Sequence, residues 1–201
     1  FNYESSGCTN QDGPLNYSVS GSTLLANSSG SDFALLELSQ SIPEDYNVYY
    51  SGWDVTGNTP NTPVCIHHPS GDIMKISTFT NTLSSSSGLG FGNDNSTHWR
   101  VFWSETLNGH GVTEGGSSGS PIFNQNGLLT GVLTGGSSFC TATNQSDIYG
   151  KFWHGWDQVG NSNSEQLKPW LDPASTNAIT LDGMYCNQSS IVTAAFNSSV
   201  T

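Results

Sequence analysis

The chain has 201 residues, of which 10% are charged and 34% are hydrophobic, and its formal net charge is −12 with only four Lys and Arg residues. So few basic residues exclude nucleic acid as a partner, because phosphate binding needs clustered Lys and Arg, and an anionic membrane surface would repel the chain. No apolar run is long enough to span a bilayer. Aromatic residues make up 11% of the chain, and we expect a folded, loop-rich protein.

Short β-rich runs separated by Gly, Asn, Ser and Pro predict an all-β protein. In chain order the predicted strands are 33–38, 48–53, 64–67, 73–80, 99–103, 121–123, 128–133 and 149–153. The serine- and glycine-rich stretch 84–92 predicts a loop. One short helix is predicted near 164–171, with Ser164 as its N-cap and Pro169 limiting its length.

A domain boundary is expected around Pro43. On this division, 1–42 is the remainder of a first β-barrel, 43–183 forms a second β-barrel that ends in the short helix, and 184–201 is a C-terminal extension. The extension has no strong hydrophobic pattern.

The four cysteines are widely spaced and form neither a CxxC motif nor a Cys/His cluster with zinc spacing. They are Cys8, Cys65, Cys140 and Cys186. Disulfides formed in an oxidising compartment are therefore expected, and with them secretion of the protein. Three pairings are possible within the chain. No cofactor or metal is implied, because no loop has the ligand spacing of a calcium or zinc site.

The segment GGSSGSP at 115–121 carries the most chemistry. A serine hydroxyl becomes a good nucleophile only beside a base, and backbone N–H groups must stabilise the oxyanion that forms. Glycines near the serine let the backbone adopt conformations that other residues avoid. Ser118 is thus the candidate nucleophile, and the N–H groups of Gly116 and Ser118 are the candidate oxyanion hole. Taken alone, the segment is equally compatible with a flexible Gly/Ser loop.

Several segments, in the same order along the chain, are similar to segments of the trypsin/chymotrypsin superfamily, and the chain resembles its bacterial lysyl endopeptidases. These segments are SDFALLEL at 31–38, IHHPSG at 66–71, VTEGGSSGSP at 112–121, SDIYGKF at 146–152 and WLDPAST at 170–176. The resemblance covers 1–183. It implies an all-β, chymotrypsin-like double β-barrel with an incomplete first barrel and a short C-terminal helix. It also implies a secreted serine endopeptidase that cleaves peptide and protein substrates after Lys, with Arg as a further option.

The resemblance places the acid of the catalytic triad at Asp32, where a carboxylate would orient and stabilise the catalytic histidine. In the family that histidine precedes the aspartate, but none of the 31 residues before Asp32 is a histidine. His67 and His68 belong to a separate segment, in which we expect His68 to pack or hydrogen-bond. His110 has only its Gly-flanked loop in its favour. We therefore expect the histidine to come from an N-terminal segment or a second chain, and this chain alone to be nearly inert.

The resemblance also implies a pocket for a basic side chain. Asp147 matches the carboxylate with which lysyl endopeptidases bind the substrate ammonium, and Glu114 matches a second acidic residue of the pocket. A carboxylate at the bottom of a closed pocket attracts a cation strongly, because the local dielectric constant is low. With 16 acidic residues in the chain, the alternative for both is an ordinary solvated acid.

The stretch 128–136 resembles the family's strand that binds extended substrate backbone. Thr134, Gly135 and Gly136 are then substrate-binding residues, and the alternative is an ordinary core strand that ends in a turn. Trp103 matches an aromatic residue that stacks on a histidine in the family. Because Thr134 stands in that histidine's position, the stack is lost here, and Trp103 is equally compatible with a core residue.

Two further expectations follow from the resemblance, one for the cysteines and one for Ser117. Cysteines at positions like Cys8 and Cys140 pair in the family with partners in the N-terminal segment. Cys65 and Cys186 have no counterpart there, so a bond between them is one option and a different pairing of all four is the other. Ser117 stands where trypsin-like zymogens have an aspartate, so no ion pair with a new N-terminus is expected.

Two other functions compete with the endopeptidase. One is a trypsin-like binding or structural module that has lost its catalytic base. The other is a β-rich adhesion or carbohydrate-binding domain, which the Asn, Ser and Trp content suggests and the ordered motifs disfavour.

Overall fold

The computed structural model describes residues 1–7, 9–88 and 97–185, and their backbone is mostly short β-strands. In chain order the strands are β1 (Ser22–Ser28), β2 (Phe33–Leu38), β3 (Tyr49–Tyr50), β4 (Trp53–Asp54), β5 (Val64–His67), β6 (Lys75–Thr78), β7 (Ser84–Ser86), β8 (His98–Phe102), β9 (Glu105–Thr106), β10 (Gly109–His110), β11 (Pro121–Phe123), β12 (Leu129–Gly136), β13 (Ser146–Lys151), β14 (Thr180–Leu181) and β15 (Met184–Tyr185). The α-helices of the described ranges are α1 (Phe152–Asp157) and α2 (Lys168–Leu171). None of the helices described is long and apolar enough to cross a membrane.

The largest sheet of the described chain has nine strands, with the spatial order β6-β5-β11-β12-β13-β8-β7. Strand β4 joins β12 through a parallel pairing at Leu129 and Trp53, and β14 pairs with β4. The other pairings of this sheet are antiparallel. Such short antiparallel strands, joined by Gly- and Asn-rich turns, confirm the predicted all-β class.

The first two strands form a separate antiparallel hairpin, β1–β2, which has a bulge between Leu24 and Ala26. Leu24, Leu36 and Leu38 of this hairpin are exposed. A two-stranded hairpin is marginally stable by itself in water. The turn that joins the two strands, by contrast, packs closely on the main sheet at Gly150.

Two apolar clusters fill the interior. The larger lies between the strands of the main sheet and consists of Cys65, Phe79, Leu83, Trp99, Val101, Trp103, Ile122, Leu133 and Tyr149. Alternation explains part of it, since Trp99 and Val101 lie two apart on β8 and therefore share a face. The smaller cluster joins α1 to β4 through Trp53, Phe152, Trp156 and Leu167. Burial of each large side chain contributes about 1.5–3 kcal/mol.

Several predicted strands are confirmed, and two, 64–67 and 121–123, have the same bounds as β5 and β11. The predicted strand 149–153 is wrong at its end, because β13 stops at Lys151 and α1 begins at Phe152. Phe152, Gly155 and Trp156 are the buried residues of α1. Their spacing is the helical i, i+3, i+4 pattern, which six residues are too few to reveal in sequence.

The predicted helix 164–171 is interrupted. A 3-10 turn spans Asn163–Glu165, Gln166 is extended, and α2 covers only Lys168–Leu171. The cap is Ser162 rather than Ser164, because the Ser162 and Glu165 side chains form a capping box. The predicted loop 84–92 also needs correction at its start, where Ser84–Ser86 forms β7 by pairing with β8. Residues 89–92 lie outside the described ranges.

The predicted boundary between 183 and 184 lies directly before strand β15. Met184 and Tyr185 of β15 are hydrogen-bonded to Tyr50 and Tyr49 of β3. The first residues of the expected extension therefore pack on the body of the domain. Residues 186–201 lie outside the described part of the chain.

Replacing Gly150 by alanine should destabilise the fold, because a Cβ there would overlap the Ser31 carbonyl oxygen, which is backbone and cannot rotate away. Overpacking costs about 1–3 kcal/mol, which in a domain of this size lowers Tm by about 2–12 °C. Differential scanning calorimetry measures the shift. Gly7→Ala is the matched control, since a Cβ at Gly7 meets nothing within 4 Å. An unchanged Tm for Gly150→Ala would contradict the packing of this turn on β13.

Candidate active site

The segment 111–120 between β10 and β11 forms a tight loop, the nucleophile loop, that presents Ser118 to solvent. Gly116 and Gly119 flank this serine with φ angles of 92° and 86°, in the left-handed region that favours glycine. Backbone hydrogen bonds from Ser117 N to Glu114 O (3.0 Å) and from Ser120 N to Ser117 O (3.0 Å) define the turn. The loop is attached to β12 because Gly119 N donates to Leu133 O at 2.8 Å.

The N–H groups of Gly116 and Ser118, the candidate oxyanion donors, have no acceptor among the described residues, and neither has that of Gly115. A Cβ at Gly116 would come within 3.2 Å of Ser70 N and 3.5 Å of His68 O. Gly116 thus lies close against the backbone of the 68–71 turn, and the amide of Ser70 donates to Gly115 O at 2.7 Å.

Asp32 lies exposed in the β1–β2 turn, with a φ of 49°. A cavity of about 210 Å³ lies between this turn and the nucleophile loop, and it is lined by both Ser31 and Gly119. The structure therefore brings the neighbours of Asp32 and of Ser118 to one cavity.

No histidine of the described ranges is hydrogen-bonded to Ser118. His67 Nδ1 lies 2.8 Å from the hydroxyl of the preceding residue, Ser117, in a buried contact. His68 is exposed, with Nδ1 3.0 Å from Asp72 O and its ring stacked on Tyr3. His110 Nδ1 contacts Gly111 O at 2.8 Å. The buried member of the His-His pair is thus His67, whereas sequence reasoning considered packing only for His68.

A cleft of about 520 Å³ opens beside Ser118. Its walls come from the 113–118 loop and from the end of β12 with the turn that follows. The lining residues are Thr113, Glu114, Gly115, Ser118, Leu133, Gly135, Gly136, Ser137, Ser138 and Phe139. Two of the predicted substrate-binding glycines, Gly135 and Gly136, therefore meet the candidate nucleophile in one cleft.

Asp147 lies beneath this cleft, on β13, and is fully buried. Its Oδ2 accepts hydrogen bonds from Thr113 Oγ1 (2.8 Å) and Ser138 Oγ (2.5 Å), and Oδ1 accepts one from Ser138 N (3.2 Å). Both partners line the cleft, so the carboxylate is separated from it by one layer of side chains. Gly136 completes this cover, and any Cβ at Gly136 would overlap Asp147 Oδ1.

Glu114 is placed differently, at the wall of the cleft and partly exposed. The pKa of its carboxyl is lowered, chiefly because the Cys140 backbone N–H donates to Oε1 at 3.2 Å. Ser70 Oγ donates to Oε2 at 3.4 Å. Glu114 thus links the cleft wall to two neighbouring turns as an anion.

Besides Asp147, two further predicted substrate-binding residues do not line the cleft. Trp103 is buried in the larger apolar cluster, where its Nε1 donates to Asp147 Oδ2, which favours the core alternative. Thr134 has a buried hydroxyl without a hydrogen-bond partner in the described ranges. Side chains alternate between the faces of a strand. The cleft is lined by Leu133 and Gly135, which are the two chain neighbours of Thr134.

Cys65 and Cys140 both carry free thiols in the structure. Cys65 is fully buried on β5, whereas Cys140 is exposed. The other two candidates for disulfides, Cys8 and Cys186, lie outside the described ranges. Within those ranges no cluster of three or more His, Cys, Asp or Glu residues could hold a metal ion.

A maleimide at pH 8 should modify Cys140 of the 201-residue chain and leave Cys65 unmodified until the protein is unfolded. The reagent reacts with the thiolate, and burial raises the pKa of the Cys65 thiol to about 12. The pKa of Cys140 is also raised, chiefly by its hydrogen bond to Glu114, but its thiol is accessible. Peptide mass spectrometry with and without denaturant separates the two sites. Equal labelling of both in the native protein would contradict the buried position of Cys65.

An all-β fold, a solvent-exposed serine between glycines and a cleft above a buried carboxylate together define a relative of the trypsin-type serine proteases. The family model described as "Lysyl endopeptidase, C-terminal domain" matches residues 1–150 of this chain. The chain therefore belongs to the lysyl endopeptidase family, and its fold is chymotrypsin-like. The family relation is to a protease, that is, to a hydrolase.

Sequence reasoning missed one feature of this site, the contact of His67 with Ser117. The available signal was the alternation in β5, where Cys65 and His67 are both buried and Val64 and Ile66 are not fully so. A strand that directs Cys65 to the core directs His67 to the same side.

Proposed function

We propose that this chain is the larger part of a secreted serine endopeptidase that cleaves after Lys, with Arg as a second choice, using a histidine supplied by an N-terminal segment or a second chain. The observation that carries the proposal is the cleft itself, in which exposed Ser118 shares walls with the residues that cover buried Asp147. The family relation supports the same class of reaction.

In the proposed reaction, the imidazole of the histidine on the N-terminal segment or second chain takes the proton of Ser118 Oγ as this oxygen attacks the scissile carbonyl. The carbonyl oxygen becomes an oxyanion and accepts hydrogen bonds from the N–H groups of Gly116 and Ser118, which have no other acceptor in the described chain. The imidazolium then protonates the leaving amine, and water hydrolyses the acyl-enzyme. Asp32 stabilises the imidazolium by accepting a hydrogen bond from its second N–H group.

Charge supports the proposed preference for lysine. Asp147 is fully buried, and its recorded donors are the neutral groups of Trp103, Thr113 and Ser138. No Lys or Arg of the described ranges forms a salt bridge with it. Acidic side chains are rarely buried unless a cation or hydrogen bonds compensate them. These hydrogen bonds hold the carboxylate in place, and a substrate ammonium in the cleft would be attracted to it across the covering layer and to Glu114 at the wall.

The β1–β2 hairpin supports the proposal that a further segment supplies the histidine. Its strands pair with no third strand among the described residues, and Leu24, Leu36 and Leu38 are exposed on it. Unpaired edges and exposed leucines are sites where further strands add. A segment that extends this hairpin would lie beside the turn of Asp32, where the histidine is needed. Exposed Cys140 is a candidate for a disulfide to the same segment.

One observation favours the second candidate, a non-catalytic member of the family. Ser118 lacks a histidine partner in the described chain, and without a base its hydroxyl is a poor nucleophile. Such a module would still bind basic peptides in the cleft.

Labelling with a fluorophosphonate separates the two candidates, because this reagent modifies only an activated serine. We expect labelling of Ser118 in the protein expressed from its complete gene, and none in the 201-residue chain alone. Mass spectrometry of the peptide 115–121 identifies the site. Absence of labelling in both samples would favour the binding module, and labelling of the isolated chain would show that the base lies within these residues.

A further inference from the structure

Three buried side chains, one in the nucleophile loop and two on the neighbouring strands β5 and β6, form a hydrogen-bonded row that the proposed reaction does not use. Ser117 and His67 face each other at 2.8 Å through Oγ and Nδ1, and His67 Nε2 lies 3.2 Å from Ser77 Oγ. All three residues are at most 4% exposed. The row runs from the nucleophile loop through β5 to β6, that is, across two strands of the main sheet.

The proton positions follow from the acceptors. Ser77 has one hydroxyl hydrogen, and its short 2.7 Å bond to Val112 O uses it. Ser77 Oγ can then only accept from His67, so Nε2 carries the hydrogen of this contact. A neutral imidazole has one N–H, which leaves Nδ1 as an acceptor for the hydroxyl of Ser117.

Several groups act on the charge of the His67 ring. Burial lowers its pKa and is the largest influence, and His68 acts in the same direction. The carboxylates of Asp147 and Glu114 act in the opposite direction. The net effect keeps the ring neutral at pH 7, which agrees with the proton positions obtained from the hydrogen bonds.

From this geometry we infer that His67 is a positioning residue for the proposed reaction: by accepting a hydrogen bond from Ser117, it holds the loop whose Gly116 and Ser118 amides form the oxyanion hole. The inference rests on the proposed function. Ser117 lies between these two amides in the chain, and glycines with left-handed φ lie on both sides of the Ser117–Ser118 pair. Glycine can adopt several backbone conformations at similar free energy. A hydrogen bond that anchors Ser117 therefore restricts the conformation of the part of the loop that carries the two amides.

Kinetics of the complete protein test the role. His67→Phe fills the same space but removes both hydrogen bonds, and we expect kcat for a lysyl amide substrate to fall about 10- to 100-fold with little change in KM, since small misplacements of catalytic groups cost up to about 10²-fold. Ser117→Ala should give a similar loss, and the double variant should be little worse than either single one. His67→Asn, which keeps an acceptor near the position of Nδ1, should recover most of the rate. His68→Asn is the matched control and should leave kcat unchanged.

A spectroscopic measurement tests the hydrogen-bond row without relying on activity. In protein labelled with ¹⁵N-histidine, long-range ¹H–¹⁵N spectra at pH 7 should show the His67 ring neutral and protonated at Nε2, with its signals assigned by their loss in His67→Asn. A ring protonated at Nδ1, or an unchanged kcat in both His67→Phe and Ser117→Ala, would overturn the inference while leaving an active protease. An inactive wild-type protein would overturn the proposed function and this inference together. If His67→Phe does not fold, Ser117→Ala and the spectrum still decide.

Discussion

Alanine at Ser118 is expected to lower kcat of the complete protein by about a million-fold, the loss seen when the nucleophile of a comparable Ser–His–Asp enzyme is removed. The remaining residues would still bind substrate, because the cleft and the oxyanion donors are unchanged by the substitution. KM should therefore change little. The measurement is release of the chromophore from a lysyl p-nitroanilide, with the active-site concentration of the wild type determined by fluorophosphonate titration.

Ser120→Ala provides the matched control for this substitution. Ser120 lies in the same loop, and its recorded bonds to Leu133 and Ser117 are made by its backbone. Its variant should keep an activity within a few-fold of the wild type. A Ser118→Ala protein that retains more than about a thousandth of the wild-type kcat would exclude Ser118 as the nucleophile, since removal of the nucleophile from a comparable Ser–His–Asp enzyme causes a far larger loss.

Asparagine at Asp147 is expected to lower kcat/KM for lysyl substrates by about 10²- to 10⁴-fold. Removing one partner of a buried ion pair costs about 3–5 kcal/mol, and each 1.36 kcal/mol corresponds to a factor of ten in rate. Asparagine keeps nearly the same shape and one oxygen acceptor, but it removes the charge that the substrate ammonium would neutralise. Steady-state hydrolysis of peptides that differ only in Lys, Arg or norleucine before the scissile bond measures the effect.

Comparison with Glu114→Gln identifies which carboxylate sets the specificity. Glu114 lies at the cleft wall and is partly exposed, so solvent screens its charge, and surface pairs contribute about 1 kcal/mol or less. We expect at most about a fivefold loss for Glu114→Gln. Larger losses for Glu114→Gln than for Asp147→Asn would contradict the assignment of Asp147 as the principal binding charge.

A control for folding is needed at Asp147, because its carboxylate also accepts hydrogen bonds from Trp103, Thr113 and Ser138. Hydrolysis of the norleucine peptide supplies it. If Asp147→Asn only removes charge, this substrate should be cleaved at a rate close to that of the wild type or faster. Equal losses for all three peptides, together with a lower Tm, would mean that Asp147 is needed for the cleft to form rather than for recognising a cation.

Local patterns predicted the parts of the fold that depend on neighbouring residues. Strands β5 and β11 were predicted with the bounds that the structure has, because short apolar or β-branched runs bounded by turn residues specify a strand locally. Strand β7 was not predicted, because its Ser-Ser-Ser sequence is β-structured only through pairing with β8. The first turn of α1 was predicted as strand, because Phe152 and Trp153 favour strands until α1 packs on Trp53 and Leu167.

By itself, the sequence determined the all-β class, the family, the serine loop and the acids that are candidates for the pocket, since these follow from residue types in a fixed order. Only the tertiary structure decided that Asp147 is buried beneath the cleft while Glu114 lies at its wall, that Trp103 belongs to the core, and that His67 contacts Ser117. The physical reason is separation along the chain: Trp103 and Asp147 are 44 residues apart, and His67 and Ser117 are 50. Contacts of that kind depend on the register of several strands at once, which no local pattern specifies.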